Sequence, residues 1–155
     1  MKSILFVCSG NIFRSLVAEY ALKTYLGPES GYLIGSAGIE AAPQAIHPIV
    51  LAHLLRKGVD PTPHRQRKLT RDLIESTSLT VAMGRNHQEW IRQEFGRDVR
   101  LFNHFCYRLD QPILDIHEAI PDWRDRPESS REYLQAVIDH IWDGVPRLVE
   151  HLSSL

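Results

Sequence analysis

The sequence predicts an α/β fold, a three-layer sandwich around a four-stranded parallel sheet. Four short apolar runs typical of strands alternate along the chain with segments whose apolar residues follow helical spacing. The length of 155 residues suits a single domain spanning 1–155, and no repeat, linker or low-complexity segment divides it. Ligands of such folds bind at the carboxyl ends of the strands.

The first half of the chain predicts two strands and two helices. In chain order they are a strand over 4–7, a helix over 15–26, a strand over 32–36 and a helix over 45–58. Gly27 and Pro28 end the first helix, and Gly58 is the C-terminal signal of the second. Pro48 is compatible with that second helix only in its first turn, because proline lacks the N–H that later positions need.

The second half predicts two more strands, three helices and a long loop. The elements are a helix over 71–77, a strand over 79–83, a helix over 86–95, a strand over 99–102, a loop over 103–129 and a C-terminal helix over 134–152. Thr70 is the expected N-cap of the first of these helices. We expect a kink near Gly144, because Pro146 interrupts the last helix. A loop as long as 103–129 inside a compact domain is usually functional.

Composition excludes several classes of function. Lys and Arg total 18 against 19 for Asp and Glu, the net charge is -1, and no tail concentrates either sign, so no nucleic acid or membrane partner is expected. The apolar run 4–7 is shorter than the roughly 7 to 15 residues of a secretory signal core, and no run approaches the roughly 20 residues of a membrane span. These observations predict a cytoplasmic protein.

The cysteines and histidines give no metal-binding pattern. Cys8 and Cys106 form no CxxC pair, and the eight histidines include no HExxH. Two cysteines in a chain of this kind are more often free thiols than a disulfide. No metal and no cofactor is therefore expected.

The stretch CSGNIFRS, residues 8–15, lies between the first predicted strand and the first predicted helix. The first N–H groups of a helix have no intrahelical partner, and the helix dipole adds about half a positive charge there, so an anion is favoured. Gly10 and Asn11 can adopt the left-handed or bridge conformations that a tight ring of amides requires. The sequence thus predicts a phosphate-binding loop made of Ser9, Gly10, Asn11, Ile12, Phe13, Arg14 and Ser15.

Cys8 and Arg14 give this loop its predicted chemistry. The planar guanidinium of Arg14 can hold two phosphate oxygens at once, and the same positive field favours the thiolate of Cys8. Ser15 can add a hydroxyl hydrogen bond to the sulfur. The competing interpretation makes Cys8 a small core residue and Arg14 a surface charge. A cation in the first turn of a helix is unfavourable, however, unless an anion binds there.

Four segments resemble one known family in the order in which they occur there. CSGNIFRS has the Cys-x5-Arg-Ser signature of protein tyrosine phosphatases, and its place after the first strand resembles the low-molecular-weight branch. Residues 36–38 (SAG) resemble that branch's SAG turn, 64–70 (HRQRKLT) its HxxRxLT segment, and 120–122 (IPD) its acid loop. The chain is therefore similar to low-molecular-weight protein tyrosine phosphatases over most of its length.

The resemblance implies a doubly wound, Rossmann-like phosphatase fold and a metal-independent phosphomonoester hydrolase. Cys8 would be the nucleophile that forms a phosphocysteine, and Arg14 would bind the phosphate oxygens. Asn11, Ser36 and His64 resemble the family's side-chain network that keeps the phosphate loop in shape.

An acid is also needed, because an ester of tyrosine expels a phenolate whose conjugate acid has a pKa of about 10. Protonating it contributes about 100- to 10,000-fold. The acidic candidates in the long loop are Asp110, Asp115, Asp122 and Asp125. The resemblance favours Asp122, which follows Ile-Pro as the family's acid does. The family's acid is normally followed by proline and an aromatic, whereas here Trp123 follows directly and can stack on the substrate ring.

The resemblance also bears on the substrate. Isoleucine at the position of Ile12 goes with phosphotyrosine in relatives, whereas a smaller hydroxyl-bearing residue goes with phosphoarginine. The expected substrate is a phosphotyrosine-bearing protein or a small aryl phosphate. Phe13 replaces the usual second cysteine of the loop, so the protective local disulfide of relatives cannot form.

Three alternatives remain at this point. The first is a phosphoarginine phosphatase, and the second is a non-catalytic phosphate-binding regulator. The third is an arsenate reductase, which shares the fold and the loop but needs resolving cysteines, for which Cys106 alone is a poor substitute.

Overall fold

A computed structural model describes residues 2–154, which form one four-stranded parallel sheet with helices on both faces. The strands are β1 (Lys2–Cys8), β2 (Tyr32–Gly38), β3 (Leu79–Ala82) and β4 (Arg100–Leu101). Their order across the sheet is β2-β1-β3-β4, and every pairing is parallel. The predicted α/β class with a four-stranded parallel sheet is confirmed.

Seven helices connect and cover the strands in the described part of the chain. They are α1 (Arg14–Leu26), α2 (Pro48–Arg56), α3 (Arg71–Glu75), α4 (Arg85–Phe95), α5 (Phe102–Tyr107), α6 (Ile116–Ala119) and α7 (Pro127–Leu152), and a 3-10 turn spans Trp123–Asp125. Thr70 caps α3 as expected, because its hydroxyl accepts a hydrogen bond from the N–H of Leu73 at 3.2 Å. Within residues 2–154, no helix combines the length and hydrophobicity that crossing a bilayer requires.

The alternation of side chains along β1 produces the three layers. Ile4, Phe6 and Cys8 belong to the larger core, which α1, α2, α5 and α7 cover. Leu5 and Val7 belong to the smaller core on the opposite face, which α3 and α4 cover. β1 is hydrophobic on both sides because it is buried between the two layers of helices.

The segment predicted as a loop over 103–129 contains most of α5, all of α6, a 3-10 turn and the start of α7. β4 ends at Leu101, and Phe102 already belongs to α5, so the strand predicted over 99–102 has only two residues. Phe102 and Cys106, four residues apart on one face of α5, are buried in the core beneath α7. The sequence did not predict this helix, because tertiary burial and not local propensity stabilises so short a helix.

α7 is one helix through Gly144 and Pro146, so Pro146 does not end it, and the kink expected near Gly144 stays a prediction. Gly144 also has a packing role. A Cβ at this position would lie 2.9 Å from the ring of Tyr107 and 3.1 Å from the Cβ of Cys106. The glycine therefore allows α5 to pack closely against α7.

The strand order places the start of α1 at a topological switch point. From β1 the chain passes to β2 on one side of the sheet, and then crosses back to β3 on the other side of β1. Parallel sheets bind ligands in the crevice outside the carboxyl ends of the strands at such a point. Residues 8–14 lie there.

Candidate active site

A cavity of about 440 Å³ opens at the carboxyl end of β1. This volume falls in the range of small-molecule sites, which is about 300–1,000 Å³. It is lined by Cys8 and by five residues of the predicted phosphate loop: Ser9, Gly10, Ile12, Phe13 and Arg14. The opposite walls come from residues 40–50 and from segments around α6 and the 3-10 turn.

The backbone of the loop turns at Asn11. Asn11 adopts the left-handed conformation with a φ of 55°, whereas the φ of Gly10 is not positive. The loop also packs tightly against the end of β2. A Cβ on Gly38 would lie 2.5 Å from the oxygen of Ser9 and 2.9 Å from the nitrogen of Asn11, so only glycine fits at the third position of SAG.

The loop carbonyls are bound from outside the loop. The oxygen of Gly10 accepts a hydrogen bond from Nε2 of Gln66 at 2.7 Å, and the oxygen of Asn11 accepts one from Nε2 of His64 at 2.7 Å. In a trans peptide the carbonyl oxygen and the following N–H point in opposite directions. The N–H groups of Asn11 and Ile12, which follow these two carbonyls, therefore point away from Gln66 and His64.

A chain of hydrogen bonds leads from Asn11 to the sulfur of Cys8. The side-chain amide of Asn11 donates to the hydroxyl of Ser15 at 3.0 Å and to that of Ser36 at 2.8 Å. The Oγ of Ser15 lies 2.9 Å from the Sγ of Cys8. Because the Ser15 oxygen accepts from Asn11, its own proton is available for the sulfur.

Glu19 completes this chain, and the sequence analysis missed it. Its carboxylate accepts a hydrogen bond from the hydroxyl of Ser36 at 2.5 Å and pairs with Lys23 at 2.5 Å. Only 8% of Glu19 is exposed. In the sequence, Glu19 and Lys23 have the i,i+4 spacing of an ordinary surface ion pair, so no signal distinguished them.

The side chain of Arg14 is buried beside the cavity, with 2% exposed. Its Nη1 donates to the carbonyl oxygen of Ile113 at 2.8 Å, and its Nη2 lies 3.6 Å from Oδ2 of Asp115. An oxygen of Glu118 lies 3.8 Å from Nη1. A buried guanidinium needs such partners, because an unpaired charge is expensive away from water.

The structure places Asp115, and not Asp122, beside Arg14. The side chain of Asp122 is 58% exposed and pairs with the Nε of Arg126 at 3.2 Å, one turn further along the chain. Asp115 lines the cavity and caps α6, with Oδ1 accepting from the N–H of Ile116 at 2.7 Å. In this structure the carboxylate of Asp122 therefore faces Arg126 and not Arg14, and its role as the acid stays a prediction. Trp123, the next residue, does line the cavity.

His87 is a second residue that the sequence analysis missed. This residue of α4 is fully buried, and its Nε2 lies 3.0 Å from the hydroxyl of Ser9. Its Nδ1 accepts a hydrogen bond from the N–H of Gly84 at 2.9 Å. Burial and the positive charge of Arg14 lower the pKa of His87 to about 3.

The buried His87 makes the protein less stable at acidic pH. Its pKa falls from about 6.5 in the unfolded chain to about 3 in the folded protein, so its stabilising effect is complete above pH 6.5 and is lost as the pH falls towards 3. Between pH 7 and pH 5, we expect the free energy of unfolding of the wild type to fall by about 2 kcal/mol more than that of His87→Gln. Urea denaturation of both proteins at the two pH values measures this difference, and an equal fall in both would contradict it.

The chain is similar to known proteins over nearly its whole length. The family model described as low molecular weight phosphotyrosine protein phosphatase matches residues 3–154. A low molecular weight protein-tyrosine-phosphatase of Acinetobacter johnsonii is 31% identical over 140 residues, which cover 79% of this chain and 95% of that protein. A protein-arginine-phosphatase of Bacillus subtilis (strain 168) is 35% identical over 121 residues, which cover 77% of each. The solved structure of the YwlE arginine phosphatase from Geobacillus stearothermophilus is similar over 99% of this chain and 94% of that one, with a TM-score of 0.81 and 26% identity.

Proposed function

Because the chain belongs to the low molecular weight phosphotyrosine protein phosphatase family, a family of cysteine-based phosphatases, we propose that it hydrolyses phosphate monoesters through a phosphocysteine on Cys8. One observation carries this proposal. Cys8, whose sulfur lies 2.9 Å from the hydroxyl of Ser15, and Arg14 both line the cavity at the N-terminus of α1.

The first step is an in-line attack of the Cys8 thiolate on phosphorus. The sulfur–phosphorus bond forms as the bond from phosphorus to the leaving oxygen breaks. Arg14 and the loop N–H groups hold the equatorial oxygens, on which charge is concentrated in the transition state. The hydroxyl of Ser15 donates to the sulfur and stabilises it both as the attacking thiolate and as the group that departs in the second step.

We assign the proton transfer to Asp115. It lines the cavity and its side chain is 26% exposed, so it is within reach of both substrate and solvent. General-acid catalysis requires the protonated carboxyl group of Asp115, whose proton passes to the leaving oxygen in the transition state. Asp115 would give this proton to the leaving oxygen and would then, as a carboxylate, activate the water that hydrolyses the phosphocysteine.

Phosphotyrosine is the proposed substrate class. Ile12 and Trp123 both line the cavity, and they offer apolar and aromatic surface for a phenyl ring. Trp123 is held in place by the ring of His47, with centroids 6.2 Å apart, and by the guanidinium of Arg124 at 4.6 Å from its ring. The proposed substrate is a phosphotyrosine-bearing protein or a small aryl phosphate.

Phosphoarginine is the second candidate substrate. The cavity wall carries carboxylates on Glu40 and Asp115, which can pair with a guanidinium group. The similarity to the arginine phosphatase of Bacillus subtilis also favours it.

The described cysteines do not support arsenate reductase chemistry. Cys106 is 1% exposed, and burial raises the pKa of its thiol to about 12. A resolving cysteine must attack as a thiolate, which Cys106 cannot readily form in its position on α5. Phe13 occupies the loop position where relatives carry their second cysteine.

We also propose a metal-independent reaction and a cytoplasmic location. Arg14 and the N-terminus of α1 supply the positive charge that a bound cation would otherwise provide. Both Cys8 and Cys106 are free thiols, which is typical of reducing compartments.

Hydrolysis of para-nitrophenyl phosphate in the presence of a chelator tests the proposed reaction. We expect turnover that the chelator does not reduce. Absence of turnover would favour a phosphate-binding regulator.

Peptides that carry phosphotyrosine or phosphoarginine at the same position then test the substrate class, and we expect the larger kcat/KM for phosphotyrosine. A larger value for phosphoarginine would reverse the assignment.

Asparagine variants at two positions test the assignment of the acid. We expect Asp115→Asn to lower kcat about 100-fold on phenyl phosphate, whose leaving group needs a proton, and much less on an aryl phosphate with a strongly activated leaving group. Asp122→Asn is the matched control and should stay within about threefold of the wild type on both substrates. Steady-state kinetics on the two substrates measure this. If Asp122→Asn shows the selective loss and Asp115→Asn does not, the roles are reversed.

A further inference from the structure

The side chain of Ser9 has a buried partner that the proposed mechanism does not use. Ser9 directly follows the nucleophile and lines the cavity. Its Oγ lies 3.0 Å from Nε2 of His87, which is fully buried on α4. A buried imidazole bonded to a loop hydroxyl can set the direction in which that hydroxyl donates.

The partners of His87 determine which nitrogen carries its proton. The N–H of Gly84 points at Nδ1 from 2.9 Å. A backbone N–H can only donate, so Nδ1 must accept and carries no proton. The neutral ring then carries its proton on Nε2. The lowered pKa of His87, about 3, agrees with a neutral ring.

The hydroxyl of Ser9 is therefore the acceptor in its bond with His87. Since Nε2–H donates to Oγ, the proton of Ser9 remains for a different acceptor. Ser9 is only partly buried and borders the cavity that Arg14 also lines, so an anion in that cavity is such an acceptor.

We propose that the Ser9 hydroxyl donates a hydrogen bond to a phosphoryl oxygen of the bound substrate, and that His87 is the positioning residue that directs it there. This inference rests on the proposed function, and it adds a side-chain donor to the loop N–H groups and Arg14. A hydrogen bond to a charged oxygen is stronger than one between neutral groups, so its loss is measurable as weaker anion binding.

Binding of inorganic phosphate, measured as competitive inhibition and by calorimetry, tests the role of Ser9. We expect Ser9→Ala to bind phosphate about tenfold more weakly than the wild type. Ser9→Thr keeps the hydroxyl and should restore binding to within about threefold. Unchanged binding in Ser9→Ala would overturn the proposal.

A double-mutant cycle tests whether His87 acts through Ser9. His87→Gln keeps a side-chain N–H donor and should bind phosphate nearly as the wild type does, whereas His87→Leu should resemble Ser9→Ala. The combined Ser9→Ala, His87→Leu variant should be no weaker than Ser9→Ala alone, because the two residues contribute one hydrogen bond. Additive losses would show that His87 acts independently of Ser9, and would overturn its assigned role.

The tautomer can be observed in the wild-type protein, in case the leucine variant does not fold. In ¹⁵N-labelled protein at pH 7, the imidazole of His87 should be neutral with its proton on Nε2. A proton on Nδ1, alone or with one on Nε2, would overturn the proposal. Neither calorimetry nor this measurement requires turnover, so failure of the proposed function would appear separately, as absent hydrolysis in the wild type.

Discussion

Cys8→Ser is expected to lower the hydrolysis of para-nitrophenyl phosphate at least about 10,000-fold, because it removes the only group proposed to form the covalent intermediate. The thiolate is both a better nucleophile and a better leaving group from phosphorus than a serine hydroxyl at neutral pH. The hydroxyl of Ser15, which lies 2.9 Å from the sulfur, cannot replace it, since its role is to donate a proton. Steady-state assays at high enzyme concentration measure the residual rate.

Binding distinguishes a lost nucleophile from a collapsed loop. The Cys8→Ser variant should bind inorganic phosphate with an affinity close to that of the wild type, because Arg14 and the loop N–H groups remain. Cys106→Ala is the matched control for the loss of a thiol and should hydrolyse the substrate at nearly the wild-type rate. Substantial activity in Cys8→Ser would remove Cys8 from the mechanism.

Arg14→Lys is expected to lower kcat about 1,000-fold on the same substrate, although the positive charge is retained. The guanidinium can bind two phosphate oxygens in parallel, and the carbonyl of Ile113 and the carboxylate of Asp115 hold its plane at the cavity wall. A lysine ammonium offers a single point charge and cannot reproduce this geometry. Measurement of kcat and KM for both proteins tests the expectation.

The exposed Arg126, which pairs with Asp122, provides a matched control. Arg126→Lys should leave both parameters within about twofold, since exposed ion pairs contribute little. If Arg14→Lys alters only KM and leaves kcat unchanged, Arg14 serves in binding alone and the proposed stabilisation of the transition state is wrong.

The sheet and the loop could be predicted from the sequence because their signals are local. The apolar run before Cys8 and the helical spacing after Ser15 define a strand and a helix, and the loop that joins them follows directly. The first turn of α2 at Pro48 and the cap of α3 at Thr70 are likewise set by single residues.

The carboxylate beside Arg14 could not be predicted in this way, because its position depends on tertiary structure. Both Asp115 and Asp122 lie in a segment with weak periodicity, and resemblance to a short motif favoured Asp122. Which carboxylate faces Arg14 depends on how α6 and the 3-10 turn pack around α7.

Glu19 and His87 were missed for a related reason. Each lies on a helix and has its hydrogen-bonding partner on a distant segment: Ser36 for Glu19, and Ser9 for His87. A glutamate or a histidine at a helical position is usually solvated. Only the packing of α1 and α4 against the sheet shows that these two are buried.

The most direct test of the proposed chemistry is acid quenching of the wild-type enzyme during its first turnover of para-nitrophenyl phosphate, followed by mass spectrometry of the peptide that contains Cys8. We expect a phosphoryl group on Cys8 after release of about one equivalent of para-nitrophenol per active site. Turnover with the Cys8 peptide unmodified at every quench time, or with the phosphoryl group on another residue, would contradict a phosphocysteine mechanism.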